Sequence, residues 1–258
     1  MNNYFVLGLI FLNLFLIYYY NKKKIKNLFF KSKIQSVDLE KVHNIFLPSE
    51  NCKFKFPKEE TIVNLFSINP SFNIVGLTTD YEAWILSSLA KLSKNIFEFG
   101  TCSGKTTALF ALNSSQDSKI HTITLNPHHL NNLSFQQTDE KIASRNAVNE
   151  SIYDEFIFSN MSIKNKINVI FQDSTQFNIE SYLNSMDLIF IDGGHNYTCV
   201  KNDSEKSFDM IKDGGYIFWH DYNISKKSNR DVVKYIHEIS KFKNIFHIKN
   251  TYLCYYKK

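Results

Sequence analysis

The stretch NIFEFGTCSGKTTALFALN, residues 95 to 113, joins a strand pattern to a helix pattern through a short loop with two glycines. NIFEF is an apolar run interrupted by Glu98, and KTTALFALN places apolar residues along one side of a helix. Gly100 and Gly104 lie between the two patterns. This order predicts the first βα unit of a doubly wound α/β sheet, in which ligands bind at the carboxyl ends of the strands.

The letters GKT at residues 104 to 106 resemble the end of a phosphate-binding P-loop, but the spacing differs from that motif. A P-loop would place its first glycine at position 99, where this chain has Phe99, and Gly100 comes one residue late. Glu98 would also repel a phosphate, whereas a carboxylate suits a ligand with an ammonium group and ribose hydroxyls, such as S-adenosylmethionine (SAM). We therefore interpret GKT as a chance match with Lys105 in solvent. A P-loop-like nucleotide-binding hydrolase stays the weaker alternative.

The composition favours one α/β domain with an additional segment, since the chain has 258 residues of which 43% are hydrophobic. The net charge of +5 is exceeded by the six lysines of residues 21 to 33 alone, so the remainder is close to neutral. We therefore expect no nucleic-acid partner. The four cysteines lack the spacing of a zinc site and fit free thiols in a reducing compartment: Cys52, Cys102, Cys199 and Cys254.

The amino-terminal run YFVLGLIFLNLFLIYYY, residues 4 to 20, contains no charged residue and predicts a transmembrane helix. About 17 residues reach the lower limit for spanning a bilayer core of roughly 30 Å. The closing tyrosines and the lysine tract after them are typical of a membrane interface, and no signal-peptide cleavage pattern is present. Residues 1–33 are thus interpreted as a membrane anchor with a basic juxtamembrane tract. The positive-inside rule predicts a single-pass protein with its catalytic domain in the cytoplasm.

The chain after the anchor divides into a lead-in segment, residues 34–77, and a domain, residues 78–258. The lead-in contains VDLEKVHNIFL, which we interpret as a short helix before Pro48, and we expect it to pack on the domain and cover its site. Thr79 and Glu82 have the spacing of a helix capping box. The run CVKNDSEKSFDMIKDGG predicts a helix with Val200, Phe208 and Ile211 inward that ends at Gly214 and Gly215.

Short apolar runs separated by helical patterns predict a parallel sheet: NIFEF, IHTITL, INVIFQ, MDLIFI and GYIFW. NIFHI and TYLCYY flank a turn and predict a closing hairpin. The expected fold is therefore a Rossmann-like, doubly wound sheet of seven strands with an antiparallel last pair, preceded by the transmembrane helix. Residues 126 to 166 leave room for one helix and an insert that forms a lid.

Polar residues follow each of the five central strands: Glu98, Asn126, Asp173 with Ser174, Asp192 with His195, and His220 with Asp221. Any one of them alone fits a helix cap or a turn. Because the carboxyl ends of parallel strands share one edge of the sheet, five such ends in succession favour a common ligand crevice.

Two segments, FEFGTCSGKTT and DLIFIDGGHNYTCVKNDSEKSFDMIKDGGYIFWHDY, are similar to class I SAM-dependent methyltransferases, most of all the small-molecule and sugar O-methyltransferases. The resemblance covers roughly residues 78 to 258. It implies the following cofactor-binding residues: Glu98, Gly100, Cys102 and Gly104 in the glycine loop at the methionine end, Asn126 at the ribose, Asp173 and Ser174 at the adenine, and Asp192 near the sulfonium. Asn126 stands where the family usually has an acid, so it would bind ribose without charge assistance.

Methylation of a hydroxyl requires a base, or a metal that lowers the pKa of the hydroxyl. His195, His220 and Asp221 are the candidate catalytic residues, and Asp192 and Asp221 resemble positions that hold a divalent ion such as Mg²⁺. The alternative is that His195 caps the following helix and His220 is a packed strand end. We expect a small-molecule or glycan acceptor. A membrane-tethered SAM-binding protein without catalysis is the second reading, and the acceptor and oligomeric state are not written in the sequence.

Overall fold

One mixed sheet of eight strands organises the described part of the chain, which in this computed structural model comprises residues 12–13, 15–19, 34–50, 55–66, 76, 78–132 and 139–258. The strands are β1 (Gln35–Val37), β2 (Asn95–Phe99), β3 (Lys119–Thr124), β4 (Ile167–Phe171), β5 (Met186–Ile191), β6 (Ile211–Trp219), β7 (Phe246–Ile248) and β8 (Cys254–Lys257). The helices are α1 (Asp80–Ala90), α2 (Lys105–Asn113), α3 (Lys141–Asn149), α4 (Tyr197–Met210) and α5 (Arg230–Ile239).

The strand order is β1-β7-β8-β6-β5-β2-β3-β4, and only β8 runs antiparallel to its neighbours. The chain builds outward from β2 to β3 and β4 on one side, and from β5 to β6 on the other. The strand order therefore switches between β2 and β5, where open α/β sheets bind their ligands. The predicted α/β sheet and the antiparallel closing pair, β7 with β8, are confirmed.

The central strands are buried along almost their whole length, as parallel strands covered on two faces should be. In β5 the four residues from Leu188 to Ile191 are all buried, and so are the four from Ile96 to Phe99 in β2. Phe190 and Phe218 join residues of α1 and α2 in one apolar core. This packing fixes the strand ends at one edge of the sheet.

The prediction of seven strands is wrong by one, because β1 pairs in parallel with β7 and adds an eighth. The expected helix in VDLEKVHNIFL is also wrong: the segment forms two 3-10 turns, Leu39–Lys41 and Asn44–Phe46, after β1. β1 has three residues, too few for a periodic pattern. The lead-in does pack on the domain, since Val37 and Val42 are buried in the core. The boundary at residue 78 stays an interpretation, and residues Gln35–Lys258 form one compact unit.

Helix α4 ends at Met210 and not at the glycines that follow it. Ile211 is fully buried in an extended conformation and pairs with Met186, so it begins β6 instead of facing inward from the helix. A β-branched residue gains more from burial in the sheet than from one further helical turn. Phe208 is half-buried and packs against Trp219.

The first compact unit, Met1–Ile34, is described only in part. Residues 12–13 and 15–19 are helical, and the rest of the predicted span from 4 to 20 lies outside the described residues. Within the part of the chain that the structure describes, no helix has both the length and the apolar character needed to cross a membrane. The transmembrane helix therefore stays a prediction.

Candidate active site

A cavity of about 350 Å³ opens at the carboxyl ends of the strands beside the switch point between β2 and β5. Its walls come from the loop after β2, the end of β3, the segment from Gln172 to Gln176, the loop after β5 and the start of α4. Helix α3 closes another side with Ala147, Glu150 and Ser151 next to it. The volume lies in the usual range for small-molecule sites. No described lead-in residue belongs to these walls.

The cavity is acidic. Among the described residues its walls contain no lysine, arginine or histidine but five carboxylates: Asp139, Glu150, Asp173, Asp192 and Asp203. Walls of one charge sign attract ligands of the opposite sign. The arrangement therefore favours a cationic ligand and disfavours a nucleoside triphosphate.

The glycine loop is shaped by close packing between strands. Gly100 has φ +98°, and a Cβ there would meet the Asp192 carbonyl oxygen and lie 2.7 Å from Gly193 Cα. Gly100 thus allows the end of β2 to approach the loop after β5, and it lines the cavity together with Cys102. Gly104 begins α2 with φ +83°, and a Cβ there would come within 2.6 Å of the Phe158 ring. Gly104 is not part of the cavity wall.

Glu98 and Lys105 are both buried next to the loop and both turned away from the cavity. Glu98 Oε2 accepts hydrogen bonds from the hydroxyls of Thr107 and Thr122, and burial raises its pKa to about 8. Lys105 Nζ donates to the carbonyl oxygen of Thr78 at 2.7 Å. The expectation that Lys105 lies in solvent is therefore wrong. Its ammonium is also occupied by a backbone carbonyl, where a P-loop lysine would face the phosphates.

The predicted adenine and ribose residues fall in different places. Asp173 and Ser174 line the cavity, and Asp173 Oδ1 also accepts hydrogen bonds from the N–H and hydroxyl of Thr175 at 2.8 Å. Asn126 caps a turn by accepting from the N–H of His128 at 3.0 Å and is not in the wall. Thr124, at the end of β3, lines the cavity nearby.

The four predicted acceptor-site residues form one cluster at the ends of β5 and β6. His195 Nε2 lies 2.9 Å from Asp221 Oδ2 and 3.9 Å from Asp192 Oδ1. His220 Nδ1 lies 3.1 Å from Asp192 Oδ1 and 3.6 Å from Asp221 Oδ2. Since Asp192 also lines the cavity, this cluster adjoins the ligand space directly.

Charge in the cluster is stabilised internally. Burial opposes ionisation of all four groups, but hydrogen bonds that His195 donates to Asp192 and Asp221 raise its pKa to about 10. The same two carboxylates hold the pKa of His220 well above its usual value. In return, and against their own burial, the histidines lower the pKa of Asp192 and of Asp221. The raised pKa values therefore favour the protonated form of both imidazoles in the ligand-free protein.

The alternative reading of His195 as a helix cap is not what the structure shows. Asn196 is the N-cap of α4, with Oδ1 accepting from the N–H of Cys199 at 2.9 Å. His195 Nδ1 and Asn196 Nδ2 are both buried without a hydrogen-bond partner. Asn196 also lines the cavity, so its amide is a hydrogen-bond donor available to a ligand.

The donor set fits a divalent cation. One ligand atom each from Asp192, His195 and Asp221 lies within 4.8 Å of the others. Asp221 has φ +60°, a conformation that Asp tolerates better than most residues. Asn229 supports it by donating from Nδ2 to Asp221 Oδ1 at 2.7 Å. Carboxylate oxygens suit Mg²⁺ or Mn²⁺, and the imidazole shifts the preference toward Mn²⁺ or other transition metals.

Three residues near the site were missed by sequence reasoning. Glu82 on α1 is fully buried, with Oε2 3.4 Å from His220 Nε2, and that contact lowers its pKa although burial opposes this. Asn229 supports Asp221, and Glu150 faces the cavity from the end of α3. None of the three follows a central strand, so the strand-end pattern could not find them. The capping box around Glu82 was visible, but its spacing indicated only a helix start.

Comparison with known families identifies the type of domain that contains this site. Residues 97–222 match the family model described as a methyltransferase domain. Residues 97–222 thus carry a methyltransferase domain. The recognition made from the sequence is confirmed, and this methyltransferase is an enzyme. None of the curated proteins compared with it is a significant match.

Solved structures share the fold of this methyltransferase at low sequence identity. An SAH-bound methyltransferase from Podospora anserina, PaMTH1, is similar at TM-score 0.51 and 11% identity, covering 70% of this chain and 79% of that one. An O-methyltransferase from Bacillus cereus in complex with SAH has TM-score 0.45 and 16% identity, with 70% and 82% covered. The O-methyltransferase TomG from Streptomyces achromogenes, involved in tomaymycin synthesis and in complex with SAM, has a TM-score of 0.47 and 12% sequence identity. The match covers 70% of this chain and 81% of TomG. What this chain shares with PaMTH1 is the methyltransferase fold.

Proposed function

We propose that this methyltransferase transfers the methyl group of SAM to a hydroxyl of a small molecule or sugar. The observation that carries the proposal is the acidic cavity at the switch point, joined through Asp192 to the buried cluster of two carboxylates and two imidazoles. SAM carries positive charge on its sulfonium and its ammonium group, which this lining would stabilise. The neighbours bound to SAM or SAH support the same ligand.

The residues present fit the cofactor. Gly100 and Cys102 would approach its methionine end, Asp173 and Ser174 its adenine, and Asp192 its sulfonium. Glu98 would act through the loop, because its carboxyl is bonded to two threonines beneath it. The protein's part in methyl transfer is to align donor and acceptor, since the sulfonium supplies the reactivity.

The acceptor hydroxyl would lie beside the cluster of Asp192, His195, His220 and Asp221. Because the pKa shifts favour the protonated form of both histidines, neither acts as a base, and His195 binds no metal ion, until its proton has left. Asp192, His195 and Asp221 would hold the divalent cation. A cation there lowers the pKa of a coordinated hydroxyl. His220 then keeps the two carboxylates oriented.

The structure weakens the case for both alternative functions. A P-loop hydrolase would need a basic phosphate site, but Lys105 is bonded to the Thr78 carbonyl and the cavity is acidic. A SAM-binding protein without catalysis was suggested by Asn126, which is outside the cavity wall and so says little about the ligand.

The test is methyl transfer by the Asp221→Asn variant. Asn keeps the size of Asp and tolerates the positive φ, so the backbone should persist while the charge is lost. With SAM radiolabelled on its methyl group and a panel of sugars, glycosides and phenols, we expect label in a small-molecule product from the wild type. Turnover should fall by about 100-fold or more in the variant, with SAH binding retained.

The matched control is Asp117→Asn, which changes an exposed carboxylate paired with Lys94 far from the cavity. Its turnover should equal that of the wild type. Full activity of Asp221→Asn on an acceptor that the wild type methylates would contradict a catalytic role for the cluster.

We further propose that the amino-terminal segment anchors the enzyme in a membrane with the catalytic domain in the cytoplasm. The described residues 12–13 and 15–19 are helical and all exposed, including Leu12, Phe15 and Ile17. Apolar side chains exposed on every side of a helix call for a nonaqueous environment. The full-length chain should sediment with membranes after alkaline carbonate washing, and a chain of residues 34–258 should not. Recovery of the full-length chain entirely in the aqueous fraction would contradict the anchor.

A further inference from the structure

Glu82 lies on α1, before the residues 97–222 that match the methyltransferase family, yet it reaches the candidate active site. We infer that Glu82 is a positioning residue that holds the imidazole of His220 in the orientation aimed at Asp192 and Asp221. This inference rests on the proposed function, because His220 belongs to the cluster assigned to the acceptor.

The carboxylate of Glu82 is fixed from several directions. Oε1 accepts a hydrogen bond from the N–H of Tyr252 at 2.6 Å. Oε2 accepts from the N–H and the hydroxyl of Thr79, each at 2.9 Å, and lies 3.4 Å from His220 Nε2. Glu82 is fully buried. A carboxylate with so many donors has one orientation, so it can serve as a fixed reference for the ring it touches.

His220 connects that reference to the cluster. Its ring is 3% exposed and packs edge-on against Phe190 with the ring centroids 6.1 Å apart. While Nε2 faces Glu82, Nδ1 faces Asp192 Oδ1 at 3.1 Å. The two nitrogens lie on opposite sides of one rigid ring, so fixing Nε2 determines where the Nδ1–H bond points. Groups behind an active-site histidine that fix its ring commonly matter to function.

Helix capping alone does not explain these contacts. Glu82 is the third residue of α1, and its bonds with Thr79 complete a capping box. A capping glutamate needs only the N-cap residue as its partner. Glu82 in addition bonds Tyr252, in the connection between β7 and β8, and His220, at the end of β6.

The test is side-chain NMR of the full-length protein labelled with ¹⁵N-histidine, with His220 assigned through His220→Gln. At pH 7 the wild type should show both ring N–H protons of His220 shifted downfield and protected from solvent exchange. In Glu82→Gln the Nε2–H proton should exchange at least about tenfold faster, and the Nδ1 resonance should shift.

Thr79→Ala is the matched control, because it removes the hydroxyl of the capping box but leaves the Glu82 carboxylate bonded to the N–H groups of Thr79 and Tyr252 and in contact with His220. Its His220 resonances should stay at the wild-type positions. Equal changes in Glu82→Gln and Thr79→Ala would overturn the inference, since helix capping would then explain both. An unprotected Nε2–H in the wild type would overturn it as well, even if Glu82→Gln fails to fold.

The NMR readout needs neither cofactor nor acceptor, so it is independent of the proposed function. On an acceptor that the wild type methylates, Glu82→Gln should lower turnover by about 10- to 100-fold with SAH affinity nearly unchanged. Undiminished turnover in Glu82→Gln would overturn the positioning role. A selective change at His220 in a protein that methylates nothing would leave Glu82 as the anchor of the ring and refute the proposed function.

Discussion

At the scale of single residues, burial decides what each carboxylate does. Glu98 lies in β2 and Asp192 follows the neighbouring β5, yet Glu98 is bonded to two threonine hydroxyls while Asp192 faces both the cavity and His220. Burial raises the pKa of Glu98 to about 8, whereas the histidines lower that of Asp192 in spite of its burial. Two acids that look alike in the sequence thus prefer different forms: the neutral carboxyl for Glu98 and the carboxylate for Asp192.

Glu98 should make stability fall as pH rises. Its folded-state pKa of about 8 exceeds the ordinary value of 4.5, so the folded protein holds this proton more tightly than the unfolded chain. The stabilisation is present in full below the ordinary value and is lost as pH rises toward 8. Glu98→Gln removes this titration. As pH rises from 4.5 to 8, the free energy of unfolding of the wild type should therefore fall relative to that of the variant by up to about 5 kcal/mol.

Urea unfolding of both proteins between pH 5 and 8.5 measures this difference. Glu205→Gln, which changes a largely exposed carboxylate on α4, should follow the wild-type pH dependence. Parallel curves for the wild type and Glu98→Gln would show that Glu98 is ionised in the folded protein at neutral pH.

The sequence predicted the cluster at the ends of β5 and β6 because neighbouring parallel strands bring their carboxyl ends together. It could not show that the Glu98 side chain, inside β2, is held away from the cavity, since the donors that hold it belong to other elements. The threonines that hold Glu98 come from α2 and β3, and Glu82 comes from α1. Such partners are set by packing between elements, which no local pattern records.

At the scale of elements, helix α3 forms a part of the cavity wall that hydrogen bonds connect to α4 and α5. Asp231, at the start of α5, accepts hydrogen bonds at 3.0 Å through Oδ2 from the N–H groups of Glu140 and Tyr197. Asp139 Oδ1 accepts from the N–H and hydroxyl of Thr198 at 3.1 and 3.0 Å. These two carboxylates therefore connect the start of α3 to α4 and α5. The helix predicted between β3 and β4 is confirmed, and the lid stays a prediction.

Asp231→Ala should loosen α3 without unfolding the sheet. It leaves two backbone N–H groups without a partner, a cost of about 1–3 kcal/mol each where they are buried. Hydrogen exchange should become at least about tenfold faster in α3, because 1.4 kcal/mol corresponds to a factor of ten. Exchange in β5 should stay at the wild-type rate.

Asp117→Ala serves as the control, since it removes a carboxylate from an exposed ion pair with Lys94. Its exchange pattern should match the wild type throughout. Wild-type exchange in α3 of Asp231→Ala would show that other contacts hold this helix.

Length explains which elements the sequence predicted. The long apolar runs of β2, β3, β5 and β6 and the helices between them stand out, whereas β1 has three residues and depends on β7 for its pairing. The end of α4 was misplaced for a related reason. Gly214 and Gly215 are strong signals for the end of a helix. The helix nevertheless ends before them, because Ile211 is buried in β6 beside Met186.

At the scale of the whole molecule, the excess positive charge and the cavity carboxylates come from different parts of the sequence. The lysine tract accounts for the excess positive charge, while the cavity walls carry carboxylates and no cationic side chain among the described residues. Composition alone predicted the near-neutral body. It could not predict the acidic cavity, because the five carboxylates come from five separate segments that only the fold brings together.

The most direct test of this account is isothermal titration calorimetry of the full-length protein with SAH and with ATP. The acidic cavity at the switch point between β2 and β5 predicts one SAH bound per chain and no detectable heat from ATP. The Asp117→Asn variant should bind SAH like the wild type, which guards against nonspecific charge effects. Binding of ATP more tightly than SAH, or no binding of SAH, would contradict the assignment of this cavity to SAM.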